Sequence, residues 1–289
     1  MPAASRYGPL LVAVMAVSFG SIFVRLADAP AITVAFYRMA FAATLLAPVA
    51  LRGALAGWSG LSGRSWLLLA ASGLALALHF ASWIASLAYT SVAASVLLVN
   101  TAPLFTLALS WLFLDESPAP DLVAALALTL AGIVLIAAGD LGTGAAPALQ
   151  GDLLALAGAA SLSVHHVVGR GLRATLPLAP YVLSAWSIAA AALALFALAS
   201  GTPLSSLSSH SVPYLVALAV VPTLIGHGLV NRSLRMLPAT AVGLFLLGEP
   251  VGASALAYAL FHEVPSARVI GGGALVLAGL AWLVVRARS

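Results

Sequence analysis

The chain has 289 residues, of which 63% are hydrophobic and 7% charged, and its mean hydropathy is +1.13. A balance so apolar excludes a soluble globular protein and points to an integral membrane protein, whose long apolar runs satisfy their backbone groups in lipid as helices. The 12 basic residues are all arginine and exceed the 8 acidic ones, a net charge of +4 that reads as membrane topology and not as a nucleic-acid partner. With no cysteine, disulfides, cysteine-ligated zinc and thiol nucleophiles are excluded.

At roughly 20 apolar residues per bilayer crossing, the chain divides into ten expected spans. The first five are Gly8–Val24, Ala31–Leu51, Trp66–Leu87, Val92–Leu114 and Leu122–Gly139. A polar, glycine-rich joint from Asp140 to Pro147 follows, and the second five are Leu153–Gly169, Pro180–Ala199, Val212–Asn231, Ala239–Phe261 and Val269–Val285. Short loops leave no room for a soluble domain. An alternative for the first span is a cleaved signal peptide ending at Ala27-Asp-Ala29, which would remove one crossing.

The fourth span repeats in the ninth. At a constant offset of 147 residues, Ala94 falls on Ala241, Pro103 on Pro250, Trp111 on Tyr258, Glu116 on Glu263, Pro118 on Pro265 and Ala131-Gly132 on Ala278-Gly279. A shared register of this length marks two related halves, 1–143 and 144–289. Five is an odd number of crossings, so the second half enters the membrane in the opposite direction. The expected architecture is therefore all-α, with ten transmembrane helices as two inverted five-helix repeats. Such repeats create a pseudo-twofold axis in the membrane plane with a site at its centre, the plan of many secondary transporters.

Counting arginines in alternate loops sets the orientation. With the N-terminus inside, Arg6, Arg52, Arg64, Arg170, Arg173, Arg232, Arg235, Arg286 and Arg288 lie on the inner side and only Arg25 and Arg268 on the outer. By the positive-inside rule both termini are expected in the cytoplasm.

Polar groups in hydrocarbon are costly, so the few inside spans are functional candidates. His79, Ser82, Trp83 and Ser86 fall on one helical stripe of the third span. Asn100 lies mid-span in the fourth, Ser163 and His166 in the sixth, Trp186 in the seventh, and His227 with Asn231 on one face of the eighth. Allowing a one-residue shift, His79 lies over His227 and Trp83 over Asn231, which would set two histidines across the pseudo-twofold axis. These residues suit a cavity for a small solute; equally, serine, asparagine and histidine serve as interhelical hydrogen-bonding glue.

Glu249 is the only acidic residue expected deep inside a span, beside Pro250. It is a candidate coupling group or a partner to the helix break that Pro250 introduces, with Pro103 breaking the matching helix of the first half. Arg38 lies about 10 Å into its span at ~1.5 Å per residue. It can snorkel outward or draw a carboxylate into an outer vestibule. Trp58 and Trp66 read as interfacial anchors, and Gly271-Gly-Gly273 with Gly279 as a close-packing surface. The adjacent His165-His166 lacks the spacing of a helical metal pair, and no nucleophile elbow, phosphate loop or ATP-binding domain is found, so no metal, cofactor or ATPase subunit is expected.

The segment from Leu87 to Leu98, then Pro103, then Trp111 to Glu116, resembles the EamA module of the drug/metabolite transporter superfamily. So does Leu247-Gly-Glu249-Pro250 followed by His262-Glu263; Ser18-Phe-Gly-Ser21 and Phe36-Tyr-Arg38 are similar to that family's first two helices, with Phe19 where a tryptophan is usual. The resemblance spans essentially the whole chain, twice. It implies a central cavity between the halves that moves small metabolites outward across a bacterial inner membrane. Among the branches it is similar to the amino-acid exporters, including those for aromatic ones, with membrane lipid as the only other partner. An exporter of lipophilic cations, with Glu249 as the binding charge, and a non-transporting membrane protein are the alternatives. Phosphorylated substrates would need basic residues deep in the cavity, where only Arg38 is available.

Overall fold

The computed structural model of the protein describes residues 3–114, 120–141, 146–172, 176–205, 207–233, 242 and 245–286. Every regular element among them is a helix. The first half holds α1 (Ala3–Leu26), α2 (Ala31–Trp58), α3 (Gly63–Ser86), α4 (Val92–Val99), α5 (Ala102–Leu114) and α6 (Pro120–Leu141). The second holds α7 (Ala146–Leu172), α8 (Leu178–Ala199), α9 (Ser211–Leu218), a π-helical segment Ala219–His227, α10 (Gly228–Ser233), α11 (Gly248–Phe261) and α12 (Ala267–Arg286).

Among the described residues six stretches are long and apolar enough to cross a membrane: Gly8–Leu26, Ala31–Trp58, Gly63–Ser86, Ala146–Leu172, Leu178–Ala199 and Ser211–Val230. Shorter apolar helices occupy Val92–Thr106, Ala127–Ala138 and Ala267–Trp282. The ninth expected span is described only at Val242 and from Phe245 onward. Large apolar side chains such as Val49, Leu67, Val134, Leu198 and Val264 point outward, each at least 65% exposed, which suits lipid and not water.

Local chemistry sets the helix ends. Ser62 and Ser91 cap α3 and α4 by accepting the backbone N–H of Ser65 and Ala94. Expected as one span, Val92–Leu114 is two helices: α4 stops at Val99, Asn100 and Thr101 form a turn, and α5 restarts at Ala102. Pro103 therefore sits in a first turn, where its missing N–H costs nothing, and Pro250 occupies the same place in α11. Neither proline lies in a helix interior; each stands just after a break and not at a kink. The sixth span starts earlier than expected, at Ala146, which places Asp152 inside α7 at 2% exposure. Glu249 is thus not the only acid within a span.

The helices pack in matched pairs. The largest interfaces set α3 against α7, α6 against α12 and α2 against α8; α1 lies along the π segment and α11, α5 along α7, and α4 between α7 and α11. Exchanging the halves maps several of these interfaces onto one another: α3 on α7 becomes the eighth span on α1, and α5 on α7 becomes α11 on α1. Between lipid-bathed helices close packing replaces the hydrophobic drive. At α6 and α12 a Cβ on Gly132 would strike the Gly272 carbonyl, and one on Gly279 the Ala125 carbonyl, so these backbones meet only because side chains are missing.

Candidate functional site

The centre of the bundle is built from backbone irregularities. At Pro222, which lacks the N–H that would reach the Leu218 carbonyl four residues back, the helix widens to the five-residue spacing of a π segment. Thr223 Oγ1 also donates to that carbonyl, at 2.9 Å. Its lone pairs accept from Arg38 Nε at 3.0 Å. A hydroxyl on one span thereby fixes a guanidinium on another.

Arg38 does not snorkel. It is 3% exposed, with its guanidinium carbon 4.2 Å from the ring centroid of Phe80 and 5.5 Å from that of Trp83. Desolvated cation–π contacts of this kind contribute about 2 kcal/mol, less than the several kcal/mol that burying an unpaired charge costs. Its Nη1 has no hydrogen-bond partner, nor does Trp83 Nε1 or Ser21 Oγ. Trp83 is held from the other side by α1, where the Cβ position of Gly20 lies 3.5 Å from its ring. Ser21 is one turn beyond Ser18, which touches the Glu249 backbone carbonyl and the Gly252 position.

Glu249 lies in the first turn of α11, where the helix dipole favours negative charge. Its carboxyl lies beside the Asn100 side chain, whose amide donates to Val96 O at 2.9 Å, and within electrostatic reach of Arg38. The turn after α4 and the start of α11 thus face each other. Arg38 and Glu249 do not form an ion pair; among the described residues that contact is made by Arg25 and Glu263.

A cleft of about 400 Å³ reaches this centre from one end of the bundle. It runs from Pro177, Gly228 and Arg232, between Leu46, Val182, Trp186 and His227, to Thr223, behind which stands Arg38. The opposite end, where α1, α3 and α11 finish, is tied shut. Arg25 Nη1 meets Glu263 Oε2 at 2.7 Å, and Arg25 Nη2 donates to the Thr90 carbonyl at 3.1 Å. Glu263 Oε1 accepts the N–H of Val92 at 2.6 Å, which adds a carboxylate to the N-terminus of α4, and Thr90 Oγ1 donates to buried Asp152 at 3.0 Å. His262, in the left-handed region at φ 55°, ends α11 immediately before Glu263. The tie joins α1, α4, α7 and α11.

The sequence candidates separate into groups. Trp186 and His227 line the cleft; Trp83 and Arg38 form the buried cluster beyond it; Asn100 and Glu249 face each other at the helix breaks. His79 stacks on Trp83, interplanar angle 3°, and its Nδ1 donates to the Gly158 carbonyl at 3.0 Å, so it braces α3 on α7. Ser82 donates to Leu78 O, and Ser163 lies in hydrogen-bonding range of Ala102 O and Ala159 O, backbone uses in both cases. His166 is exposed, while His165 sits in a network with Ser72 and Tyr181 that fastens α7 to α3 and α8. The side chain of Asn231, and Glu116, the repeat mate of Glu263, lie outside the described residues. Trp58 is not simply an interfacial anchor, since its Nε1 donates to Ser184 at 2.9 Å.

Sequence reasoning missed Thr223, Phe80 and the tie at Arg25. Pro222 was the available signal for the first, because a mid-span proline disturbs the helix ladder next to that hydroxyl. Glu263 was the signal for the last, marked by the repeat but read only as a landmark.

Comparison with known proteins agrees with this architecture. An uncharacterized transporter of Archaeoglobus fulgidus is 28% identical over 283 residues, covering 96% of this chain and 97% of the relative. A solved structure titled only as the crystal structure of a protein superposes with a TM-score of 0.66 over 99% of this chain and 98% of that one, at 21% identity, a likeness of fold. The EamA-like transporter family matches twice, at residues 7–138 and again at 149–285. With apolar helices throughout and that double match, the chain is a multi-pass membrane transporter and belongs to the EamA-like transporter family.

Proposed function

We propose that the protein is a secondary transporter that exports amino acids, aromatic or other neutral ones foremost, or similar small metabolites, by alternating access. The observation that carries this reading is the cleft that opens at one end and stops at Thr223, while the Arg25–Glu263 tie closes the other end. A carrier holding its solute site open to one side at a time has this form. The arginine count supports a cytoplasmic location for the open end, where Arg232 lies, and for both termini. On this reading the host is the inner membrane of a bacterium. The interfaces that map onto one another when the halves are exchanged support ten spans as two inverted repeats, 1–143 and 144–289.

The wall of Trp186, Leu46, Val182 and Leu224 suits an apolar side chain, and a buried arginine beyond it suits a carboxylate. Arg38 also weighs against a carrier for lipophilic cations, since its charge faces the space that Glu249 would have to offer a cation. Purified protein in liposomes should move labelled phenylalanine or leucine saturably, with counterflow from preloaded unlabelled solute. If none of the standard amino acids moves saturably, the export reading falls.

A further inference from the structure

We propose that Arg38 and Glu249 are the two poles of a receptor for the zwitterionic head group of an α-amino acid, Arg38 Nη1 taking the carboxylate and Glu249 the ammonium. The assignment rests on the amino-acid reading above and adds to it which residues recognise the head group and how the solute is oriented.

Arg38 is the starting point. A guanidinium offers five N–H donors in a planar fork suited to carboxylates. Here one donor is committed to Thr223, two aromatic rings cover the plane, and Nη1 is buried without a partner. The cover fixes the fork and leaves an edge unused. Trp83 Nε1 and Ser21 Oγ, also buried without partners, add neutral donors from α3 and α1 around the same centre.

Glu249 supplies the opposite charge at a distance. It is near enough for Arg38 to feel its field, yet the two do not pair. Its carboxyl stands beside Asn100 at the facing helix break. Opposite charges that attract without pairing would be answered together by an α-amino acid, whose two charged groups hang on one carbon. A simple anion would satisfy Arg38 and confront Glu249 with a like charge; a simple amine would do the reverse. Both are rejected by the pole they do not match. The side chain would extend past Thr223 into the cleft walled by Trp186 and Leu224.

The test compares L-phenylalanine with phenethylamine and 3-phenylpropionate, which lack one charge each. Binding is measured by thermal shift and tryptophan fluorescence of the full chain in detergent, and transport in proteoliposomes. L-leucine with its amine and acid counterparts forms a second series. The zwitterion is expected to bind at least tenfold more tightly than either analogue. Arg38→Gln should weaken phenylalanine at least tenfold while sparing phenethylamine; Glu249→Gln should weaken phenylalanine while sparing 3-phenylpropionate. That crossed pattern is not produced by a merely structural role, which would weaken all ligands alike and would overturn the proposal. Should a variant not fold, the ratio among the three ligands on the wild-type protein decides. Equal binding of zwitterion and analogues, or no binding of either zwitterion, also overturns it. Crossed binding without transport refutes the export reading and leaves the receptor standing; transport with indiscriminate competition does the opposite.

Discussion

Two arginines, Arg25 and Arg38, differ in almost everything except charge. Arg25 lies at the tied end, 28% exposed at its side chain, and meets an acid, a backbone carbonyl and the Phe261 ring. Arg38 is buried in the middle of the bundle with one hydroxyl, two rings and an unmet donor. The first is a fastening, since what it gains from its partners is realised in the protein alone. The second is a charge held in readiness, and its full stabilisation requires something the chain does not supply. Each leaves one buried donor unmet, Nε in Arg25 and Nη1 in Arg38, so what separates them is the acid: Arg25 has Glu263 against it and Arg38 has no ion-pair partner among the described residues.

The comparison is broken most forcefully by Arg38→Leu. Removing a buried unpaired charge for an apolar side chain should leave stability unchanged or raise it by about 1–4 kcal/mol, while transport falls at least a hundredfold; detergent melting curves beside vesicle uptake give both readings. An Arg38→Leu protein that melts earlier would make this arginine structural. Arg25→Ala should do the reverse at the tied end, lowering stability by about 1.5–3 kcal/mol as the charge-assisted bonds go. Glu263→Gln should weaken the same tie, and the exchanged pair Arg25→Glu with Glu263→Arg should recover part of the loss in the same melts. Thr223→Val frees the guanidinium without removing it, so the concentration of phenylalanine for half-maximal uptake should rise about tenfold, equivalent to about 1.4 kcal/mol, with stability lowered by about 1–3 kcal/mol as the buried donor loses its partner. The smallest effect belongs to Trp83→Phe, which keeps a ring beneath Arg38 but deletes the unpartnered Nε1; a change of roughly threefold in half-saturation, within 1 kcal/mol, is expected.

Much of the fold was legible because length, apolarity and a repeated register are properties of long segments. The same averaging hid the site. Depth along a span placed Arg38 within the membrane, but not which neighbours its side chain meets, and that decides between snorkelling and burial over Phe80 and Trp83. Asp152 escaped notice because hydropathy begins α7 at the first apolar residue, whereas the helix itself begins at Ala146. The stripe of His79, Ser82, Trp83 and Ser86 was visible, yet spacing does not separate a residue facing solute from one bonding the next helix, as His79 does through Gly158. Departures from regular helix, at Asn100–Thr101 and through the π segment, carried more information about the centre than the polar residues did.

The proline of that π segment has one more implication. Because the ladder steps past Pro222 in π register, the eighth span is wider and weaker there, and the hydroxyl resting on its Leu218 carbonyl is also the tether of Arg38. Flexing at the π turn would tug on the guanidinium, and a ligand seated on the guanidinium would stiffen the turn. Solute occupancy and the bend of a spanning helix are therefore wired through a single oxygen atom.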